Sequence, residues 1–438
     1  MTAAVVSWLR SIPDCGAFSL YWALKPRRLT PSARMDALKQ SHEVERATTA
    51  TARSETLGLP SGLRVLHATT VPESLRHFMA PTARRLRASG HCVDAAAGAS
   101  EAGAGLAESY DAVWDVPWSR NPAAPSNLAG ALPSMRRLLR RGRYHVVHVM
   151  TPVAGFVTRL AVGTFARADR PAVVYAAHGF HFYNGGRAAR NAVFRALERT
   201  AAPWTDALCV VNQEDHEAAA SLGLATPSQI VRLHGTGIDL TRFDPAGVPD
   251  ADVQRVRDEL GLGPGDVLFT QVAEFTERKR HRDLLQALAL VPDAHLALPG
   301  TGPVLDEIGE LASILGLADR VHLLGFRRDV PALLRASRAA VLVSEQEGLP
   351  TCVIEALALG VPVVGTDIRG TRDLLGEGGG WLVPLGDVSA IAAALRAVAS
   401  GAEAPPFPDM EPFGVDAVFG SYVDAYRAAL SVRRRRLS

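Results

Sequence analysis

The sequence almost does without lysine: of its 47 basic residues only Lys25, Lys39 and Lys279 are lysines, the rest being arginines. Cysteine is nearly as scarce. Cys15, Cys92, Cys209 and Cys352 are scattered with no C-x-x-C pair, which excludes a disulfide framework and a zinc knuckle and suits a reducing compartment. Aromatic residues make up 6%, and neither an aromatic-rich RNA-binding strand nor Cys/His finger spacing accompanies the arginines, so nucleic acid is not an expected partner. No N-terminal apolar run reaches the roughly 18 to 20 residues a membrane span requires. The best, Ala3 to Leu24, is broken by Arg10, Pro13 and Asp14, and reads neither as a transmembrane helix nor as a signal peptide.

What is present is ordinary globular material: 438 residues, 47% hydrophobic and 21% charged, enough for two or three domains with sizeable cores. The net charge of +2 hides an asymmetry, with residues 1–60 carrying +3, residues 61–240 carrying +6 and residues 241–438 carrying −7. A basic half suits an anionic partner such as a membrane surface or a lipid-linked phosphate. The cluster Arg136, Arg137, Arg140, Arg141, Arg143 reads equally as such a contact or as a solvated helix face.

Residues 1–60 lack sustained periodicity and read as a loosely ordered extension. From Arg64 short apolar runs alternate with amphipathic stretches, the pattern of parallel strands crossed over by helices. The runs Val65–Ala68, Val93–Ala97, Ala112–Val116, Val146–Met150, Ala172–Ala177 and Ala207–Val211 predict one doubly wound domain over 61–238. After a Pro-bearing connector the rhythm restarts with Val267–Val272, His295–Leu298, Val321–Leu324, Ala339–Val343, Pro362–Gly365 and Trp381–Val383, predicting a second domain over 239–410. Residues 411–438 predict a helix from Phe413 to Leu430 and a basic tail, packing back toward the first domain. Ligands of such folds bind outside the carboxyl ends of the strands, so function is to be sought in the loops that follow them.

Three such loops carry chemistry. In Ser344-Glu345-Gln346-Glu347-Gly348-Leu349-Pro350-Thr351-Cys352-Val353-Ile354-Glu355, Gly348 permits a tight turn and Pro350 suits the first helical position. The unpaired N–H groups around Thr351 to Val353 then form an anion site flanked by Glu347 and Glu355. A carboxylate there can accept two hydroxyl hydrogen bonds from a sugar or ribose, whereas Glu345 reads as an acid favoured by the helix dipole. In Glu274-Phe275-Thr276-Glu277-Arg278-Lys279-Arg280-His281, a guanidinium and an ammonium could stabilise a departing diphosphate. Lys279 is the only lysine beyond the extension, so a chain that otherwise uses arginine keeps a compact ammonium here. In His178-Gly179-Phe180-His181-Phe182-Tyr183, two histidines leave a strand; Phe182 and Tyr183 could stack on a sugar or pack the next helix, and His148 would line the same edge. Gly300-Thr301-Gly302 lacks the third glycine of a dinucleotide fingerprint, and helix capping explains Asp250-Ala251-Asp252 better than metal binding does.

Taken together, these residues resemble the retaining glycosyltransferases of family 4. The resemblance rests on Glu347 and Glu355 within the Glu-Gly-Leu-Pro stretch, on Gly360-Val361-Pro362-Val363-Val364-Gly365-Thr366-Asp367, and on Gly235-Thr236-Gly237-Ile238-Asp239 with Arg242-Phe243. Gly300-Thr301-Gly302-Pro303 and Leu324-Gly325-Phe326-Arg327-Arg328-Asp329-Val330 support it. The resemblance covers the chain from about residue 64 onward and implies a GT-B fold, two Rossmann-like doubly wound α/β domains facing each other across a cleft. It implies that Glu347 and His178 meet the donor sugar, that Arg278 and Lys279 grip the diphosphate, and that Glu355 holds the ribose. Backbone near Phe326 and Arg327 would meet the base, with Gly300, Gly348, Leu349, Pro350 and Thr351 also at the nucleotide. Thr69-Thr70-Val71-Pro72-Glu73-Ser74 departs from the paired glycines many members carry after the first strand.

His178-Gly179-Phe180-His181-Phe182-Tyr183 and Thr366-Asp367-Ile368-Arg369-Gly370 look most like transferases of capsule, exopolysaccharide and lipid-linked oligosaccharide assembly. The expected activity is therefore metal-independent, retaining transfer from a UDP-sugar to a glycan or polyprenyl-diphosphate-linked acceptor, with no cofactor besides the donor. The expected location is cytoplasmic, peripheral on the inner face of the membrane. A sugar-nucleotide epimerase on the same scaffold and a non-catalytic sugar-nucleotide-binding partner are the alternatives.

Overall fold

A computed structural model of the chain describes residues 57–98, 105–122 and 124–437. The extension expected over 1–60 lies outside the described residues up to residue 56. The chain forms two compact units: one holds the described residues up to Val210, Asp215–Arg232 and those from Phe419 onward, the other Val211–Glu214 and Leu233–Val418.

The first unit is built on a seven-stranded parallel sheet. Its strands are β1 (Arg64–Ala68), β2 (Cys92–Ala97), β3 (Ala112–Asp115), β4 (Val146–Met150), β5 (Ala172–Ala177), β6 (Ala207–Val210) and β7 (Ile230–Arg232), in the order β3-β2-β1-β4-β5-β6-β7. The second unit carries a six-stranded parallel sheet made of β8 (Val267–Thr270), β9 (Ala294–Pro299), β10 (Val321–Gly325), β11 (Ala339–Leu342), β12 (Val363–Thr366) and β13 (Gly380–Val383), in the order β10-β9-β8-β11-β12-β13. Central strands such as Val146–Met150 and Ala339–Leu342 are buried throughout their length, which is why they read as unbroken apolar runs rather than alternating ones. Every predicted run falls on a strand to within two residues. The edge strand β7 has no counterpart in the sequence reading, because three half-buried or exposed residues give no apolar run.

In both sheets the strand order reverses once, between β1 and β4 and between β8 and β11. Loops leaving such neighbouring strands diverge to opposite faces and open a crevice at the carboxyl edge of the sheet. The expected α/β architecture of two doubly wound domains is present.

The last helix, Val415–Leu437, extends beyond the predicted Leu430 and takes in the basic tail. Arginine is a good helix former, Arg434–Arg436 in the last turn complement the helix dipole, and Arg436 pairs with Asp206 at 2.7 Å. No described helix is long and apolar enough to cross a membrane. On helix Leu132–Gly142, Met135, Leu138 and Leu139 are buried while Arg137, Arg140 and Arg141 are exposed, as both a solvated face and a surface for an anionic partner require.

Candidate active site

In the second unit the loops after β8 and β11 are tied to one another at the strand-order reversal. Gln271, fully buried at the end of β8, accepts from the Val343 N–H at 3.3 Å and donates to the Lys279 carbonyl at 3.3 Å. The Glu345 N–H donates to the Arg278 carbonyl at 2.9 Å, and Arg278 Nη1 donates to the Gln346 carbonyl at 2.7 Å. Lys279 closes a single 3-10 turn, Glu277–Lys279, which ends because Arg280 adopts a left-handed conformation, φ 51°.

These ties bring three of the predicted residues into contact. Lys279 Nζ lies 2.6 Å from Glu347 Oε1, and Arg278 Nη1 3.7 Å from Oε2. Glu347 is 8% exposed. Burial works to raise its carboxyl, but the charges of Lys279 and Arg278 outweigh it and hold the group below the usual carboxylate range. The result is an ionised acid locked between two cations, with Arg278 still part-exposed.

The Glu347-Gly348 turn is gripped from below by residues the sequence reading did not place in the site. Buried Arg369 donates from Nε to the Glu347 carbonyl at 3.2 Å, and Asn212 donates from Nδ2 to the Gly348 carbonyl at 3.0 Å. Gly370, φ 75°, sits so close that a Cβ would lie 2.1 Å from the Gly348 carbonyl oxygen. Gln271 left a trace in the sequence, a polar residue inside the apolar run Val267–Val272, and Arg369-Gly370 lay in a stretch singled out for resemblance alone. Asn212 left none.

The helix that follows spans Thr351–Ala358, with Pro350 flanking it rather than opening it. Val353 N–H bonds the Pro350 carbonyl at 3.1 Å, so the anion-facing donors narrow to Thr351 and Cys352. Burial pushes the Cys352 thiol up to about 12, leaving it protonated and unsuited to nucleophilic work. The side chain of half-buried Glu355 makes no hydrogen bond or ion pair among the described residues. Burial pushes it up to about 7 against the opposing charge of Arg242.

Gly300 and Gly302 stand where two loops cross: a Cβ would meet the Ala273 carbonyl oxygen at 1.9 Å and the Phe275 carbonyl oxygen at 2.3 Å. Gly300 N–H also donates to the Gly325 carbonyl at 2.7 Å, which joins this crossing to the loop bearing Phe326 and Arg327. Phe326 is 77% exposed. The Arg327 guanidinium is held by Asp329 at 2.7 Å and by Glu259, so what this loop can offer a ligand is its backbone and the Phe326 ring. Asp250 and Asp252 lie in the first helical turn after Pro249, not at the cap position expected of them, and Asp252 pairs with Arg255. Among the described residues no three His, Cys, Asp or Glu side chains gather as they would around a metal ion.

His178 belongs to the first unit. Its ring stacks on Phe78, centroids 6.4 Å apart, and its Nε2 lies 3.4 Å from Tyr422 Oη. Its neighbours take the packing alternative: Phe182 is buried and stacked on Phe180 at 4.8 Å, and His181 leans on Phe194 at 5.1 Å. His148, expected at an open edge, is instead fully buried, because the final helix brings Tyr426 Oη to 2.9 Å from its Nδ1.

Comparison with known proteins adds to this geometry. Residues 78–242 match the profile of Glycosyltransferase Family 4, and residues 252–405 that of Glycosyl transferases group 1. EpsD of Bacillus subtilis (strain 168), named as a glycosyltransferase, is 32% identical over 288 residues, covering 64% of this chain and 74% of EpsD. The UDP-Gal:alpha-D-GlcNAc-diphosphoundecaprenol alpha-1,3-galactosyltransferase of Escherichia coli is 30% identical over 273 residues, covering 60% and 69%. In fold, the chain is similar to Anabaena HepE, crystallised with UDP, at a TM-score of 0.62 and 17% identity, covering 86% of this chain and 98% of HepE. With both halves of the chain matched and two thirds or more of such relatives spanned, the protein belongs to the family 4 glycosyltransferases.

Proposed function

We propose that this protein transfers a sugar from a UDP-sugar, with retention and without a metal ion, to a glycan or polyprenyl-diphosphate-linked acceptor in surface polysaccharide synthesis. The observation that carries the reading is the contact of Lys279 and Arg278 with buried Glu347 where the second sheet reverses its strand order. Two fixed cations are what a departing nucleoside diphosphate needs, since pre-set charge stabilises the leaving group without reorganisation. An ionised Glu347 can accept hydroxyl hydrogen bonds from the donor sugar, and Glu355, whose side chain makes no hydrogen bond among the described residues, can accept those of the ribose. The N–H groups of Thr351 and Cys352, after the Gly348-Leu349-Pro350 turn, suit a phosphate oxygen. Backbone around Gly300, Phe326 and Arg327 would receive the base, and His178 would meet the donor sugar. The UDP and the lipid-linked acceptor are supported by the relatives, one named for UDP-Gal and a diphosphoundecaprenol acceptor and one fold neighbour crystallised with UDP. The exposed arginines of helix Leu132–Gly142 would rest on anionic lipid at the inner membrane face.

A thermal-shift screen of nucleotide sugars tests the donor. A ligand at a hundred times its Kd adds about 2.7 kcal/mol to native-state stability, so UDP-sugars should raise the Tm and GDP- or ADP-sugars should not. The best donor is then incubated with GlcNAc-diphosphoundecaprenol in EDTA, and the anomeric configuration of the product is read by NMR. A screen in which no UDP-sugar moves the Tm refutes the donor assignment, and an inverted product or loss of turnover in EDTA refutes the mechanism.

A further inference from the structure

Three histidines of the first unit stand on one face of its sheet. β1 and β4 pair so that His67 lies opposite His148, and His148 pairs with Val174 of β5. Side chains alternate along a strand with period two, so His178, four residues beyond Val174, leaves the end of β5 on the same side. Against this face packs the helix Val415–Leu437, whose Tyr422 and Tyr426 are four residues apart and therefore project from one face a turn apart. Ala425 and Ala429, both fully buried, let the helix backbone approach closely.

The two tyrosines divide the histidines between them. Tyr426 Oη lies 2.9 Å from His148 Nδ1 and 3.0 Å from His67 Nε2. A hydroxyl has a single proton, so one of these imidazoles accepts and the other donates, which anchors the helix from two strands at once. Tyr422 is fully buried, and the one hydrogen-bond partner of its hydroxyl among the described residues is His178 Nε2, at 3.4 Å. Burial holds His178 at about 4, so its ring is neutral at physiological pH and must choose between two tautomers. A phenol is the better donor and an imidazole nitrogen the better acceptor, so the Tyr422 hydroxyl donates to Nε2 and the ring proton sits on Nδ1. Nδ1 has no partner among the described residues. The ring is backed by Phe78, inclined by 23° and itself 37% exposed.

We propose that Tyr422 is a positioning residue for His178: its hydroxyl fixes the ring against Phe78 and selects the tautomer that presents Nδ1–H to the substrate. This rests on the reading of His178 as a residue of the active site. The other tautomer would turn a lone pair toward a sugar oxygen and lose the hydrogen bond.

The test is long-range ¹H–¹⁵N NMR of the imidazoles in the full chain, with His178→Gln identifying the His178 signals. The unaltered protein should show one His178 tautomer, protonated at Nδ1, and Tyr422→Phe should show a mixture. Tyr426→Phe should disturb the His67 and His148 signals and lower the Tm while leaving the His178 pattern alone. Turnover of the UDP-sugar that gives the largest thermal shift should fall about three- to tenfold in Tyr422→Phe, the worth of one net hydrogen bond, with the donor KM little changed. An unaltered His178 tautomer together with unaltered turnover in Tyr422→Phe overturns the proposal. Full turnover in His178→Gln instead overturns the active-site reading of His178 and leaves the tautomer result standing, so the two failures are distinguishable.

Discussion

Replacing Glu355 by glutamine separates the electrostatics of the ribose subsite from its binding role. An ordinary glutamate titrates at 4.5, and burial moves Glu355 to about 7. Between those values the native state therefore holds a proton that the unfolded chain has lost. The associated stability is complete below pH 4.5 and is lost as pH rises through about 7. At ~1.4 kcal/mol for each pH unit of that gap, ionised Glu355 costs the native state up to about 3 kcal/mol at pH 8. Glutamine keeps the shape and carries no charge, so Glu355→Gln should be more stable than the parent at pH 8 by as much as that, and equal to it near pH 4.5. Calorimetric melting at the two pH values reads this difference, on the order of 2 to 4 °C for each kcal/mol in a unit of this size. The same variant should bind UDP about ten- to a hundredfold more weakly at pH 8, since a charged hydrogen bond is worth ~1.5 to 3 kcal/mol. The ratio of the two affinities should shrink toward one as pH falls below 7, and taking the ratio cancels the titration of UDP itself. Equal melting behaviour at both pH values would refute the buried-charge argument, and a ratio independent of pH would refute the ribose assignment.

Lys279→Ala leaves Glu347 buried with Arg278 alone at 3.7 Å, so urea unfolding should show a loss of about 3 to 5 kcal/mol and turnover should collapse. Adding Glu347→Gln to that variant should restore part of the stability and none of the turnover; restored turnover would mean the ammonium acts only on structure. Gly370→Ala drives a Cβ into the Gly348 carbonyl and strains a residue at φ 75°, so it should cost about 1 to 3 kcal/mol and slow turnover by displacing Glu347, which a thermal melt and a steady-state assay check together.

How far the site was legible depends on how each residue earned its place. Lys279 was legible because its residue type is rare in this chain, and Glu347 and Glu355 because a strand ending in acids, a glycine turn and a helix start is a local pattern. The pairing of Lys279 with Glu347 was not, since it joins residues 68 apart that meet only because β8 and β11 are neighbours. His148 shows the opposite failure: it looked available at the end of a strand and is buried by the final helix, 278 residues on. Phe182, legible equally as a sugar platform or as packing, takes the packing role beside its near neighbour Phe180.

By itself the sequence determined two doubly wound α/β units, since parallel strands buried on both faces must be written as unbroken apolar runs, and a period of that kind is local information. It also determined which loops hold charge. The tertiary structure decided which charges meet, which histidines are sealed, and that a tyrosine 244 residues away meets His178. Such contacts are set by the order in which strands pair and by where a final helix packs, and no stretch of neighbouring residues records either.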